Sequence, residues 1–364
     1  MAPGVAAKMA LGRVRGNLAR APRSAPRVTR AHDLPLIERF PSLGDVARAP
    51  LGVFPSPVEH VRTDGVSDAF WVKRDDRNAG AFAGNKLRAL EFLLADLAPG
   101  EALLTIGGEG STHILTTAAW GAVLGAPTFA GTWPHEMGPV ARRVADEIPH
   151  RCRRVYRYRS VHAAAAGVTL VRQRARLSPG ERLRWVPFGG TSPLGMLGHV
   201  SSGLELARQI ERGALPTPDE IFVPLGTGGT AAGIALGLSI GGVSSKVVAV
   251  RVGPRIGIEG ARLTWLAWRV VRLLARHGVR AIDAWHRLRV AVHHSAFGGA
   301  YGRPHPEAER VSAAVARTIG ATLDSTYSAK TCYAALVDRR PAGHTLFWLT
   351  FDGRWMDEHA AVTR

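Results

Sequence analysis

From about residue 33 onward the apolar positions alternate between two spacings. Short, largely apolar runs at 69–72, 102–106, 127–130, 153–158, 221–225 and 246–252 predict strands. Between them apolar residues recur every three or four positions, as Leu87, Leu90, Leu94 and Leu97 do after Asn85, which is expected to cap that helix. Further helices are expected over 112–124, 139–148, 195–210 and 230–238. Apolar strands separated by helices predict a parallel sheet covered on both faces, so the class is α/β. Residues 263–277 read as one amphipathic helix whose Arg262, Arg269, Arg272 and Arg276 share a stripe about 80° wide, a solvated face. No repeat of fixed period is present.

The chain has 364 residues, long enough for one large or two medium domains. With 46% hydrophobic and 21% charged residues it is neither collagenous nor disordered as a whole. No apolar run reaches the roughly 18 residues of a membrane span, and no secretory signal is visible, so a soluble cytoplasmic protein is expected. Cys152 and Cys332 are the only cysteines, which excludes a disulfide framework and a cysteine-based zinc module. His135-Glu136 does not continue to a second His at metal spacing, and His293, His294 and His305 are too loosely placed, so no metal site is expected.

The net charge of +18 suggests nucleic acid until its position is considered. Residues 1–30 carry +7, 141–160 carry +5 and 251–290 carry +7, which leaves the other 274 residues at −1. Only five of the 47 basic residues are Lys, an arginine skew that codon usage in a GC-rich genome produces without a binding role. Nucleic acid is therefore not the expected partner. The first 30 residues have the composition of a disordered tail or of a transit peptide, and Met9 is a candidate internal start.

Gly226-Thr227-Gly228-Gly229-Thr230 follows an apolar strand and opens a helix. Turned amides, a helix start and threonine hydroxyls make a phosphate cradle, though without the Lys of a P-loop or the spacing of a dinucleotide fingerprint. Lys86 stands at a glycine-flanked helix start in Gly84-Asn85-Lys86. A phosphate cradle plus an embedded lysine is what a pyridoxal-phosphate site needs. Lys8 falls in the tail, and a surface role is the simpler reading for Lys73, Lys246 and Lys330.

Six segments then occur in order: KRDD…AGNKLRALEFLLAD from residue 73, GGEGSTH at 107–113, FGGTSPLGMLGH at 188–199, VPLGTGGTAAG at 223–233, YGRPHPEA at 301–308 and LDSTYSAKTCYA at 323–334. Together they resemble the pyridoxal-phosphate-dependent family that contains 1-aminocyclopropane-1-carboxylate deaminase and D-cysteine desulfhydrase, a fold type II, tryptophan synthase β-like branch. The resemblance spans about residues 33–355. It implies two open, twisted, mostly parallel sheets flanked by helices. A large cofactor domain would be formed by 33–87 and 191–364, a small domain by 88–190, and residues 1–32 would be a basic tail. A homodimer and a small amino-acid substrate are also implied.

By the same resemblance Lys86 is the Schiff-base lysine, preceded by Asn85, and Gly226, Thr227, Gly228, Gly229 and Thr230 form the phosphate loop. Ser111 matches the serine that contacts the substrate carboxylate, and Tyr301 and Tyr327 match the two tyrosines that face the substrate. Three positions depart from the family. Thr112 replaces an Asn that bonds the cofactor's ring oxygen. Ser328 replaces the glutamate that the deaminases place beside the pyridine nitrogen, where a hydroxyl is the desulfhydrase-like pattern. Thr350-Phe351-Asp352 replaces a Thr-Gly-Gly or Leu-Gly-Gly turn; Thr350 fits the desulfhydrase side, and Asp352 is a candidate to approach the cofactor.

The function these features imply is a lyase or deaminase most like D-cysteine desulfhydrase, in which Lys86 takes the α-proton and a β-thiol departs, giving a 2-oxo acid, ammonia and sulfide. Opening of a cyclopropane ring is the alternative, disfavoured by Ser328. A diverged cofactor-binding paralogue without either activity, and a basic anion-binding protein, are the readings from other classes.

Overall fold

A computed structural model describes residues 29–30, 34–64, 66, 68–174, 180–255, 257, 259–337 and 343–356. Most of the expected tail lies outside the described residues. Thr29–Arg30 (β1), at its end, pairs antiparallel with Ala47–Arg48 (β2), and the short helix Pro35–Arg39 (α1) lies between them.

The chain continues through Val58–Val61 (β3), Phe70–Arg74 (β4) and Asn85–Leu93 (α2). It then builds one sheet from Glu101–Gly108 (β5), Thr128–Trp133 (β6), Arg154–Arg157 (β7) and Arg182–Trp185 (β8). The intervening helices are Thr112–Val123 (α3), Pro139–Arg151 (α4) and Val161–Arg174 (α5). The four strands lie in the order β7-β6-β5-β8, all parallel.

Pro193–Glu211 (α6) returns the chain to a second sheet. Glu220–Leu225 (β9), Gly229–Ile240 (α7), Lys246–Arg251 (β10), Glu259–Arg276 (α8), Ile282–His286 (α9) and Val290–His293 (β11) follow. Pro306–Ile319 (α10), Ser328–Leu336 (α11) and Thr345–Leu349 (β12) complete it. This sheet has the order β11-β10-β9-β12-β4-β3, parallel except for the β3–β4 pair. The chain is thus α/β with two mostly parallel sheets flanked by helices.

Burial explains the apolar runs. Every residue of β12, and all but the first of β9 and β10, is buried, as helices on both faces require. One core joins α6, α7 and α8 to one face of the larger sheet, and a second joins α10 and α11 to the other. The arginine stripe of α8 is exposed, as the spacing predicts. Among the described residues no helix is long and apolar enough to cross a membrane.

Two lysines expected at the surface are buried. Lys73 on β4 donates to Glu205 at 2.5 Å and to Gln209 at 2.7 Å, both on α6, and to the Ser56 carbonyl. Lys330 on α11 donates to the Phe297 carbonyl at 2.7 Å, and burial pulls its amine down to about 8. Their sequence neighbours gave no sign of this, because the partners are supplied from elsewhere in the fold. Lys246 does lie at the surface, paired with Glu220.

Candidate active site

A cavity of about 310 Å³ is lined by residues at or just after the C-terminal ends of β5, β6 and β8 and by the turn that leads into α7. Ligands commonly bind outside the carboxyl ends of parallel strands. Of the residues singled out in the sequence, Lys86, Asn85, Ser111, Thr112, Gly226, Thr227, Gly228, Thr230, Tyr301, Tyr327 and Thr350 line it. Gly229 and Ser328 do not.

Lys86 is delivered by a sharp entry into α2. Gly84 has φ of +114°, and a Cβ there would sit 2.4 Å from the Thr350 carbonyl oxygen, so only glycine lets the C-terminal strand end approach. Asn85 was expected to cap this helix, but it is the first helical residue and its side chain is used otherwise. Its amide donates to the Thr230 hydroxyl at 2.8 Å, while its backbone N–H donates to the Thr350 carbonyl at 3.1 Å. The lysine turn, the glycine-threonine turn and the end of β12 are thereby tied together.

Beneath the lysine lies a buried ionic cluster. Arg88, two residues on, donates to both oxygens of Asp75 at 2.7 and 2.9 Å and to both of Glu205 at 3.0 Å. The Trp348 indole also donates to Asp75, at 2.9 Å. Burial opposes the carboxylate charges, but the Arg88 guanidinium and the Lys73 ammonium together more than offset it and hold Asp75 and Glu205 below their ordinary values.

The Lys86 amine has one acceptor within reach among the described residues, the Gly189 carbonyl at 3.4 Å. Burial lowers its pKa from 10.5 to about 8, which leaves a substantial neutral fraction near physiological pH. His113 and His199 stay neutral beside it, pulled down to about 3 by burial and then by the Lys86 charge. The Thr105 hydroxyl donates to the Val186 carbonyl and so accepts from His113 Nε2, at 2.9 Å.

Among the described residues no side chain caps α7, so the amides of its first turn are open to an anion at Gly226–Thr230. The Thr227 hydroxyl lies 2.5 Å from that of Thr191, which braces the turn from the start of α6. An uncapped helix start in one cavity with a lysine of lowered pKa that has no anionic partner among the described residues fits a cofactor carrying both a phosphate and an aldehyde.

On the remaining walls the Tyr301 and Tyr327 hydroxyls are 2.5 Å apart. Burial pushes Tyr301 up to about 12 and Tyr327 well above 10, so both are neutral. Ser111 caps α3 through a weak 3.5 Å bond from the Ile114 N–H, and its hydroxyl still reaches the cavity wall. Ser328 is 1% exposed and donates to Asp324 at 2.7 Å, and it is Asp324 that reaches the cavity. Asp352 does not line the main cavity but a small pocket beside it, shared with Lys86, Thr112 and Thr350. Its carboxylate accepts from the Ala83 N–H and from Arg354, which ties it to the lysine turn.

Several wall residues were not singled out beforehand, namely His113, Trp133, Val161, Phe188, Gly189 and Asp324, while His135 had been weighed only as a metal ligand and Phe351 only as a departure from the family's turn. His113, Phe188, Gly189 and Asp324 sit inside the motif segments, which was the available signal. Among the described residues no group of three His, Cys, Asp or Glu could hold a metal ion.

The chain is similar to known proteins. The profile of the family "Pyridoxal-phosphate dependent enzyme" matches residues 50–345. Nocardicin C-9' epimerase of Nocardia uniformis subsp. tsuyamanensis is 37% identical over 85% of this chain and 93% of its own. D-cysteine desulfhydrase of Klebsiella pneumoniae (strain 342) is 30% identical over 83% of this chain and 89% of its own. The crystal structure of an ACC deaminase homologue superposes with a TM-score of 0.72 at 24% identity, covering 89% of this chain and 98% of that one, a likeness of fold.

Proposed function

The chain belongs to the pyridoxal-phosphate dependent enzyme family, and from that premise we propose that it removes the α-proton of an amino acid and releases a β-leaving group such as a thiol. A D-cysteine-like substrate would yield 2-oxo acid, ammonia and sulfide, with one water consumed. The observation that carries this reading is Lys86. It has a lowered pKa and no anionic partner among the described residues, and it shares one cavity with an uncapped helix start and a neutral tyrosine pair.

Pyridoxal phosphate held there supplies a ring that spreads negative charge away from a substrate's Cα. Gly226–Thr230 would hold its phosphate and Asn85 would fix the lysine turn against that loop. Thr112 and Thr350 would flank the ring. Lys86 would accept the α-proton, Ser111 would meet the substrate carboxylate, and the Tyr301–Tyr327 pair would carry the proton that a departing thiolate needs. Ser328 would act on the ring only through Asp324. Ring opening of an aminocyclopropane is less well supported, because Ser328 brings no carboxylate of its own and is turned to Asp324. A homodimer belongs to the same reading.

A second reading is favoured by the 37% identity to an epimerase. The α-proton would then return to Cα from another carrier, with no bond to Cβ broken. One experiment separates the two. The holoenzyme is incubated in deuterated water with D- and L-cysteine and with D- and L-alanine, and sulfide, 2-oxo acid and deuterium at Cα are measured. Sulfide supports elimination, and exchange with inversion but no sulfide supports epimerisation. Neither product nor exchange overturns both.

A further inference from the structure

We propose that the outer wall of this cavity selects an amino acid whose side chain ends in an aryl or comparably wide apolar group, held against Trp133 and Phe188. This rests on reading the cavity as a pyridoxal-phosphate amino-acid site, and it names the substrate class within that reading.

The wall comes from the C-terminal ends of β6 and β8, which flank β5 in the four-stranded sheet. β6 ends on Trp133 and β8 leads to Phe188, and their rings meet edge to face with centroids 5.5 Å apart at 73°. Val161, the first residue of α5, lines the same cavity. Phe188 and Val161 are each 38% exposed, among the few large apolar side chains left open to solvent in the described residues, and both line this cavity. Apolar surface left open inside a pocket is where a ligand gains most from leaving water.

The position of the wall relative to the chemistry strengthens the case. Phe188 directly precedes Gly189, whose carbonyl is the acceptor for the Lys86 amine. A group projecting from the substrate's Cβ can therefore reach the rings while its Cα stays near the lysine. A side chain of a single thiol would leave both rings in water, whereas a phenyl-sized group covers them. Aromatic pairs of this kind prefer a third ring offset or edge-on to them.

The test is a titration of the holoenzyme with S-methylcysteine and S-benzylcysteine, in both enantiomers, read as the change in the absorption band of the bound cofactor. The two probes share the backbone and the leaving sulfur and differ only in the apolar group. Burial of a phenyl-sized group predicts half-saturation about 10- to 100-fold lower for the benzyl compound. Trp133→Ala and Phe188→Ala should each cut that ratio by about fivefold or more. Equal half-saturation in the wild type, or a ratio retained in both variants, overturns the selecting wall and leaves the reading of the site standing. If no amino acid perturbs the band, the reading of the site falls and the wall with it. Should either variant lose the band, the wild-type ratio and the other variant decide.

Discussion

The Tyr301 hydroxyl lies 2.5 Å from the Tyr327 hydroxyl, and the two rings meet edge to face with centroids 6.1 Å apart. Only one hydrogen can lie between the two oxygens, so the pair works as a unit with one proton to pass on. Burial keeps both phenols neutral, Tyr301 up at about 12 and Tyr327 well above 10. Tyr327→Phe is expected to lower kcat/KM by about 100-fold, as loss of a positioned proton carrier does. The double Phe variant should fall no more than about threefold below the worse single variant, because groups acting together are not additive. Losses that add fully in steady-state kinetics would show that the hydroxyls act separately.

Lys86 sets a pH dependence of the same origin and opposite direction. Its amine, pulled from 10.5 to about 8 by burial, is neutral above that value and protonated below it. Uptake of pyridoxal phosphate by the apoprotein requires the neutral amine. The rate should rise about tenfold per pH unit below about 8 and level off above it, as followed by the growth of the visible band. Lys86→Ala should show no covalent band at any pH, and a band retained in that variant would remove the lysine from its proposed role.

Lysine at a glycine-flanked helix start, and the turn Gly226–Thr230 after an apolar strand, were legible because each signal lies within a dozen residues of chain. What escaped the sequence depends on distant partners. Lys73 is buried because Glu205 and Gln209, more than 130 positions away, meet it from α6. Ser328 turns from the cavity because Asp324 takes both its N–H and its O–H, a local bond that residue type alone did not disclose. Trp133 and Phe188 look like ordinary apolar residues, and only the placement of β6 and β8 on either side of β5 brings their rings together as a wall.

The buried cluster under α2 predicts a stability effect. Arg88→Ala leaves Asp75 and Glu205 without their main counter-charge, and breaking a buried pair costs about 3–5 kcal/mol. Both carboxyls are held below their ordinary values, so their stabilising contribution is present above those values, near 3.8 and 4.5, and is lost as pH falls through the lower folded ones. Removing Arg88 should therefore lower Tm at neutral pH and move the acid-unfolding midpoint upward, measured by circular dichroism. An unchanged acid midpoint would show that other groups govern acid unfolding.

Gly302, next to Tyr301, joins the tyrosine loop to the loop after β6. Its φ is +79°, and a Cβ there would lie 1.9 Å from the Glu136 carbonyl oxygen and 2.6 Å from His135 Nδ1. Two costs therefore meet in Gly302→Ala. The left-handed backbone costs about 1–2 kcal/mol with any side chain, and the clash with a fixed backbone oxygen pushes the two loops apart. Because Tyr301 moves with its neighbour, a shift of about 1 Å should cost about 100-fold in kcat/KM while the cofactor band survives. Gly278 supplies the control. Its φ is +75° with nothing within 4 Å of an added Cβ, and it follows α8 outside the cavity lining. Gly278→Ala should lose a similar amount of stability from the backbone alone and keep its activity. If both variants lose activity equally, backbone strain and not the contact at Glu136 is responsible. If neither does, the approach of the two loops does not position Tyr301.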